Sequence, residues 1–181
     1  MCRARQAAGF GREFARKENR GYRFTHAARE GEVKTMQKLV DELTAALAKN
    51  KKLKSSAPAA VKVFVDFIDP RNVGAAAYSA AQEGQLAAMK LLHSLGADLD
   101  IQSTQEGGGT PSHIAAQHGR TEMIQLLADL RADVHKPRND GVRPLYLAAL
   151  KGHSDTARLL LELRADVNAQ DNFGRTACLV A

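Results

Sequence analysis

One pattern of apolar and polar residues repeats along the second half of the chain. Residues 115–134 align with residues 148–167 at a spacing of 33, and both stretches carry two alanines, a glycine, two leucines and a closing Ala-Asp-Val. The pattern also lies 35 residues earlier, where the connector IQSTQEGGGT is two residues longer, and a weaker copy begins at Thr25. Self-similarity at this period indicates stacked structural repeats.

Each repeat predicts two short helices joined by a tight turn. In the third repeat, Thr110 can cap the first helix, Pro111 can take its first position and Gly119 ends it. Thr121 is predicted to cap the second helix, on which apolar residues recur at helical spacing. Those residues are Met123, Ile124, Leu126, Leu127 and Leu130. Helices this short need neighbours to be stable, so we predict an all-α stack.

Composition agrees with small, closely packed helices. The chain is 44% hydrophobic but 5% aromatic, with no Trp. Its two cysteines, Cys2 and Cys178, match neither a disulfide framework nor a metal site. Since no apolar run is long enough to span a membrane and the N-terminus lacks the apolar core of a secretory signal, we expect a cytoplasmic protein.

The stretches TPSHIAAQHG, RPLYLAALKGH and LRADVNAQDNFGRTA resemble the ankyrin repeat and its Thr-Pro-Leu-His-x-Ala signature. The resemblance implies an all-α ankyrin-repeat solenoid of about four helix-turn-helix repeats with a truncated fifth, a basic N-terminal arm and an insertion in the first repeat. It also implies that Thr110 and His113 bond to each other and to backbone, as architecture and not as an active site. The predicted units are an arm over 1–22 and a repeat domain over 23–181, with repeats at about 23–72, 73–107, 108–140 and 141–173 and a partial fifth at 174–181.

Several positions depart from the family pattern. Arg143 and Tyr146 replace the signature Thr and His, so that repeat should lack the bonded pair. Arg131 and Arg164 stand where Gly96 ends the corresponding helix, and a positive φ there would cost about 1 kcal/mol each.

The two ends of the array differ in pattern. Lys38 replaces an apolar residue on the outer helix of the first repeat, as a capping repeat requires, while Met36, Leu39, Val40 and Leu43 are predicted to face inward. At the other end the sequence stops inside a new repeat, leaving Leu159, Leu160 and Leu163 half covered. We expect such an edge to mark a partner surface or a truncated chain.

The insertion over 44–72 contains the lysine cluster 49–54 and then VKVFVDFIDP. The alternation of Val61, Val63, Val65 and Phe67 favours a strand or an irregular packed arm over a helix. We favour a long loop lying back on the array, with an edge offered to another chain as the alternative.

The resemblance implies a non-catalytic protein-binding scaffold, an adaptor or a fixed subunit of a larger protein assembly. The family grips protein partners with its loop tips and the exposed side of its first helices. The matching positions on the loops are Ser103, Thr104, Gln105, Glu106, Asn139, Asp140, Val142, Gln170, Asn172, Phe173 and Arg175. On the first helices they are Gln82, Glu83, Gln117, His118, Leu150 and Lys151. Phe173 stands out because aromatic residues dominate interface hot spots, although it could also fold against its own repeat.

Catalysis, metals and cofactors find no support in the motifs. The Gly107–Gly109 run lacks the Lys and Ser or Thr of a phosphate loop. Of the six histidines, His113 and His153 sit at signature positions, and the other four are spread along the array without paired carboxylates or a cysteine cluster at ligand spacing, so no nucleophile, base and orienting group can be assembled. We therefore predict no enzyme activity, no cofactor and no metal.

The net charge of +6 is concentrated at the N-terminus. Residues 1–62 contain 15 Lys and Arg against 6 Asp and Glu, whereas the rest contain 11 against 14. Three interpretations of the arm stay open: a solvated tail, a site for nucleic acid or another polyanion together with residues 49–54, or a presequence for an organelle interior.

Overall fold

The computed structural model describes residues 2–16, 19–49, 57–67, 75–104 and 107–180, and every regular element within them is helical. The helices are α1 (Cys2–Arg16), α2 (Arg20–Glu30), α3 (Val33–Lys49), α4 (Ala57–Val65), α5 (Ala76–Glu83), α6 (Leu86–Ser94), α7 (Pro111–Gln117), α8 (Thr121–Asp129), α9 (Pro144–Leu150), α10 (Ser154–Glu162) and α11 (Ala177–Val180). The all-α prediction is confirmed. In the same residues no helix combines the length and the apolar character needed to cross a membrane.

Two layers of helices make up the array. The first helices of successive repeats, α2, α5, α7, α9 and α11, pack on one another in that order, and the second helices α3, α6, α8 and α10 form the other layer. Alanines at the contacts of the first layer are fully buried, namely Ala76, Ala80, Ala81, Ala115, Ala116 and Ala148. Because their side chains are small, the short helices approach closely enough to share one continuous core.

The start of α7 follows the prediction, and the start of α8 does not. Thr110 is the N-cap of α7, with Pro111 at the first position. Thr121, predicted as a cap, is instead the first residue of α8, and Arg120 takes the cap position. The Thr121 hydroxyl lies 2.7 Å from that of Thr156 in the next repeat, so it joins two repeats and leaves the helix end without its cap.

A ladder of side chains covers the turns between paired helices. Gly119 has φ 64°, and a Cβ on it would lie 2.7 Å from the ring of His153, which belongs to the next repeat. The Nε2–H of His153 donates to the carbonyl of Gln117 at 3.0 Å. One repeat earlier, Arg120 Nε donates to the carbonyl of Gln82 at 3.1 Å. Each turn is thereby tied to the end of the preceding first helix.

Arg131 and Arg164, which stand at the position of Gly96, follow α8 and α10 in the left-handed conformation. Their φ values are 66° and 72°, beside 77° for Gly96 after α6. A non-glycine residue there costs about 1 kcal/mol relative to glycine.

Inside the first repeat, the predicted inward face is confirmed. Met36, Leu39, Val40 and Leu43 are buried, while Lys38 is exposed. Helix α3 is the longest of the array, and its apolar face is covered in part by α4.

The predicted strand or loop within the insertion is wrong, because residues 57–65 form helix α4. Ala60, Val61, Phe64 and Val65 are buried, and this spacing places them on one helical face. The alternation of valines misled the prediction because the packing of one helical face against α1 and α3 outweighs the β propensity of valine.

Helix α1 replaces the solvated tail that the sequence left open. Phe14 and Ala15 are buried, and the Phe14 ring meets Phe64 edge-on at 5.6 Å between centroids. At the crossing of α1 and α4, a Cβ on Gly11 would lie 2.5 Å from the carbonyl oxygen of Ala60. Close approach of the two backbones therefore depends on glycine at position 11.

Paired alanine substitutions in α1 test this crossing. Gly11→Ala should lower the free energy of unfolding by about 1–3 kcal/mol, because a rigid backbone carbonyl occupies the space its methyl group needs. Gly9→Ala is the matched control: its Cβ meets nothing within 4 Å, so it should raise stability by about 0.5–1 kcal/mol through helix propensity. Urea denaturation of both variants measures the difference, and equal stabilisation would rule out the close crossing.

Candidate functional site

The signature histidine is bonded on both ring nitrogens. His113 Nδ1 lies 3.1 Å from the backbone nitrogen of Thr110 and 2.9 Å from its hydroxyl, while Nε2 lies 3.0 Å from the carbonyl oxygen of Val142. A backbone N–H can only donate and a carbonyl can only accept, so Nε2 carries the proton and Nδ1 accepts. His113 thus joins the third repeat to the loop that opens the fourth.

Burial sets the charge state of this imidazole. Loss of solvent lowers the pKa of His113 to about 4, against the opposing effect of its bond to the Val142 carbonyl. The ring is neutral near pH 7, 2% exposed and bonded on both sides, so it offers no nitrogen to a substrate. The implied structural role of Thr110 and His113 agrees with this geometry.

An aromatic and arginine cluster stands on the last loop. The Arg175 guanidinium lies 5.0 Å from the centroid of the Phe173 ring and 5.3 Å from that of Tyr146. Arg175 is held by Asp171, whose Oδ2 is 2.6 Å from Nη2 and 2.7 Å from Nε. Phe173 is 75% exposed and therefore rests on a fixed, charged base with its remaining surface in solvent.

Hydrogen bonding keeps the ion pair beneath Phe173 charged. Burial would raise the pKa of Asp171, but hydrogen bonds from the Arg175 side chain and from the backbone N–H groups of Arg175 and Phe173 outweigh it and lower that pKa. The bond to Asp171 raises the pKa of Arg175 in turn. The pair is internally neutralised, so the loop presents an apolar ring with little net charge.

Neighbouring loop tips are tied into a row. Asn172 donates from its backbone N–H to the Asp140 carbonyl at 2.9 Å and from Nδ2 to the Asn139 carbonyl at 3.1 Å. The Asn139 N–H donates to the Gly107 carbonyl at 2.9 Å. We call the exposed residues of this row, Asn139, Gln170, Asn172 and Phe173, together with Arg175, the loop-tip surface.

A second ion pair stiffens the loop before it. Arg138 Nη2 lies 2.6 Å from Asp140 Oδ2. Burial would raise the pKa of Asp140, yet the bonds from Arg138 and from the Val142 N–H lower it. Asp140, predicted as a partner contact, is therefore engaged mainly within its own loop.

The predicted residues on the first helices lie in a different environment. Glu83 is half-buried between Arg29 Nε at 3.2 Å and Arg120 Nη2 at 4.0 Å, so it links three repeats. Gln82 and Gln117 are half-buried as well, and their carbonyls accept the bonds from Arg120 and His153 described above.

The other predicted residues of the first helices are exposed to solvent. His118, Leu150 and Lys151 are exposed, and Leu150 keeps 48% of its surface in solvent. The His118 ring donates from Nδ1 to the Ile114 carbonyl at 3.0 Å.

Two predicted contact residues are too buried to meet a partner. Ser103 is 6% exposed, and its N–H bonds the Gly109 carbonyl inside the longer loop. Val142 is 2% exposed because its carbonyl is held by His113 and its side chain packs with Tyr146 and Leu147. Thr104 is exposed, whereas Gln105 and Glu106 lie outside the described residues.

Arg120 and Tyr146 contact the predicted site residues, and the sequence analysis did not predict these contacts. The position after each turn glycine carries a long polar residue, Gln85, Arg120 or His153, and this repeated feature could have exposed the ladder. The sequence shows that Tyr146 replaces the signature histidine. It gives no signal of the contact between the Tyr146 ring and Arg175, because the two residues are 29 positions apart.

Comparison with known proteins agrees with this architecture. A family model described as ankyrin repeats (3 copies) matches residues 77–171. The chain belongs to the ankyrin-repeat family.

A mouse relative, protein phosphatase 1 regulatory subunit 27, is 39% identical over 80 residues, which cover 44% of this chain and 50% of that protein. The chain thus matches about half the length of this relative.

The buried His113 predicts a loss of stability in mild acid. Its pKa is about 4 in the folded chain and 6.5 ordinarily, so between these values the unfolded chain binds more protons. The contribution is complete above pH 6.5 and is lost as the pH falls to 4, by about 3 kcal/mol in total. Urea denaturation at a series of pH values measures it.

His113→Tyr supplies the comparison, since tyrosine occupies this position as Tyr78 and Tyr146 in neighbouring repeats. The variant should lack this part of the pH dependence, whereas a variant of the exposed His93, His93→Gln, should retain it. Parallel pH profiles for the native chain and His113→Tyr would contradict the assignment.

Proposed function

We propose that the protein is a non-catalytic interaction scaffold, an adaptor or fixed subunit of a larger protein assembly, that binds a protein through the loop-tip surface. Membership of the ankyrin-repeat family supports a protein-binding role. The mouse relative is named as a regulatory subunit, which fits a chain that acts by binding another protein.

The exposure of Phe173 is the observation that carries the proposal. A phenylalanine with 75% of its surface in water loses the free energy that burial would supply. Its ring also lies against an immobilised guanidinium, so a partner that covers it orders little further structure. Rigid aromatic residues of this kind are typical interface hot spots.

The ion pairs of the loops define the kind of contact. Asp171 neutralises Arg175, and Asp140 neutralises Arg138. The surface around Phe173 therefore offers an apolar ring and hydrogen-bonding groups such as Asn139 and Gln170. It carries little net charge. We expect an apolar residue of the partner to pack on the free side of Phe173.

Salt separates this mode of binding from the polyanion alternative. Exposed charge contacts are largely screened at about 300 mM ionic strength, because the Debye length is then well below 10 Å. Burial of an aromatic ring tolerates that salt, whereas a complex with nucleic acid through basic residues loses affinity steeply.

Substitution of Phe173 tests the proposal. Phe173→Ala should weaken the partner complex about ten- to a hundredfold at 300 mM salt, as loss of a hot spot of about 1–3 kcal/mol requires. The measurement is affinity purification from the native cells with quantitative mass spectrometry, followed by titration of the proteins recovered.

Leu161→Ala is the matched control, since Leu161 is a 45% exposed apolar residue on α10, outside the loop-tip surface. It should retain the same proteins. Equal recovery by Phe173→Ala, or recovery of nucleic acid alone at low salt, would overturn the proposal.

A further inference from the structure

The ends of the second helices carry arginines in a conformation that favours glycine. Arg131 and Arg164 occupy equivalent positions in successive repeats, and Gly96 occupies the same position one repeat earlier. In all three, the backbone N–H donates to the carbonyl three residues before it at 2.9 or 3.0 Å. The backbone is thus the same whether or not a side chain is present.

Neither arginine stabilises the fold through its side chain. Both residues are exposed, and within the described part of the chain neither guanidinium makes a hydrogen bond or an ion pair. A Cβ at Gly96 meets nothing within 4 Å, so this position opens to solvent. A cation at a helix end gains from the helix dipole, but a cation in the last helical turn gains equally without a left-handed backbone.

At Gly96, which has no side chain, a lysine from the insertion supplies the positive charge. Lys62 on α4 places Nζ 3.1 Å from the Gly96 carbonyl, and its side chain is 55% exposed. The third and fourth repeats therefore carry an arginine at this position, and Lys62 from the first repeat supplies a cation at the same position of the second. Stacked helices lie about 8–10 Å apart, so the cation row of Lys62, Arg131 and Arg164 is about 20 Å long.

We propose that the cation row is a second interaction surface, which binds an acidic segment of a protein. An extended chain advances about 10 Å in three residues, so a segment with a carboxylate at every third position matches the spacing of the row. The surface is independent of the loop-tip surface, and its test does not require that surface to bind.

The surroundings favour spaced carboxylates over a continuous polyanion. Asp66 pairs with Lys62 at 2.9 Å, and each arginine has a carboxylate two residues before it and another two residues after it, namely Asp129 and Asp133, and Glu162 and Asp166. A nucleic acid strand, with a phosphate at every nucleotide, would meet these carboxylates as well as the cations. A peptide that is neutral between its acidic residues presents fewer negative charges to these carboxylates.

The test measures binding and stability on the same variants. The probe is a fluorescent twelve-residue peptide with glutamate at every third position and serine elsewhere, titrated by fluorescence anisotropy at about 50 mM salt. Arg131→Gly with Arg164→Gly should weaken its binding about five- to tenfold, as loss of two exposed charge contacts implies. The melting temperature of the same variant should rise by about 2–4 °C for each left-handed arginine replaced by glycine.

Further variants separate the charge from the backbone. Arg131→Gln with Arg164→Gln should weaken the peptide by the same factor and leave the melting temperature unchanged. Gly96→Arg should tighten binding and lower the melting temperature. Arg158→Gln, on the exposed side of α10, is the control for nonspecific charge and should keep the affinity of the native chain.

Three outcomes would overturn the proposal. They are equal affinity of the native chain for the peptide and its glutamine analogue, tighter binding of single-stranded DNA of equal charge, and a lower melting temperature for the double glycine variant. The last would show that the arginines serve the fold. Opposite signs of the effects on binding and stability support the proposal.

Discussion

The structure depends on the contact between one repeat and the next. Helices α5 to α10 have seven to nine residues each, too few to persist alone in water. Their apolar faces are covered by the neighbouring pair, and fully buried alanines allow the first helices to approach closely. Most buried apolar side chains of the described residues belong to one cluster that runs from α1 to α11, so the array is stable as a stack.

This dependence explains why the residues that join the repeats vary while the geometry does not. His153 and Arg120 perform the same task over successive turns, although one donates from an imidazole and the other from a guanidinium. His113 is flanked in its column by Tyr78 and Tyr146, which are buried as well. At such positions the fold requires either a hydrogen bond or a side chain that fills the space, and several types of side chain meet this requirement.

The sequence predicted well wherever an internal repeat supplied a comparison. The period identified the helix pairs and the glycine turns, and it placed Arg131 and Arg164 at the position of Gly96. It failed at α4, which has no counterpart elsewhere in the chain, so that local alternation outweighed tertiary packing. For the candidate site, alignment marked Phe173 correctly as a loop-tip residue but could not show that Val142 is buried, because that burial depends on tertiary packing against Tyr146 and Leu147.

The residues that the fold itself does not require form two groups, which lie on separate surfaces. Phe173 leaves an aromatic ring in water on a braced loop, and Arg131 and Arg164 hold a left-handed backbone without a side-chain bond within the described residues. A solenoid tolerates such local costs because its stability is a sum over many similar interfaces, so that one weakened position does not unfold the array. A position where a chain departs from the residue that its other repeats carry, at a cost to stability, is a candidate for a role in binding. In this protein the chain's own repeats supply that comparison, since Gly96 shows the arrangement that the backbone alone would favour.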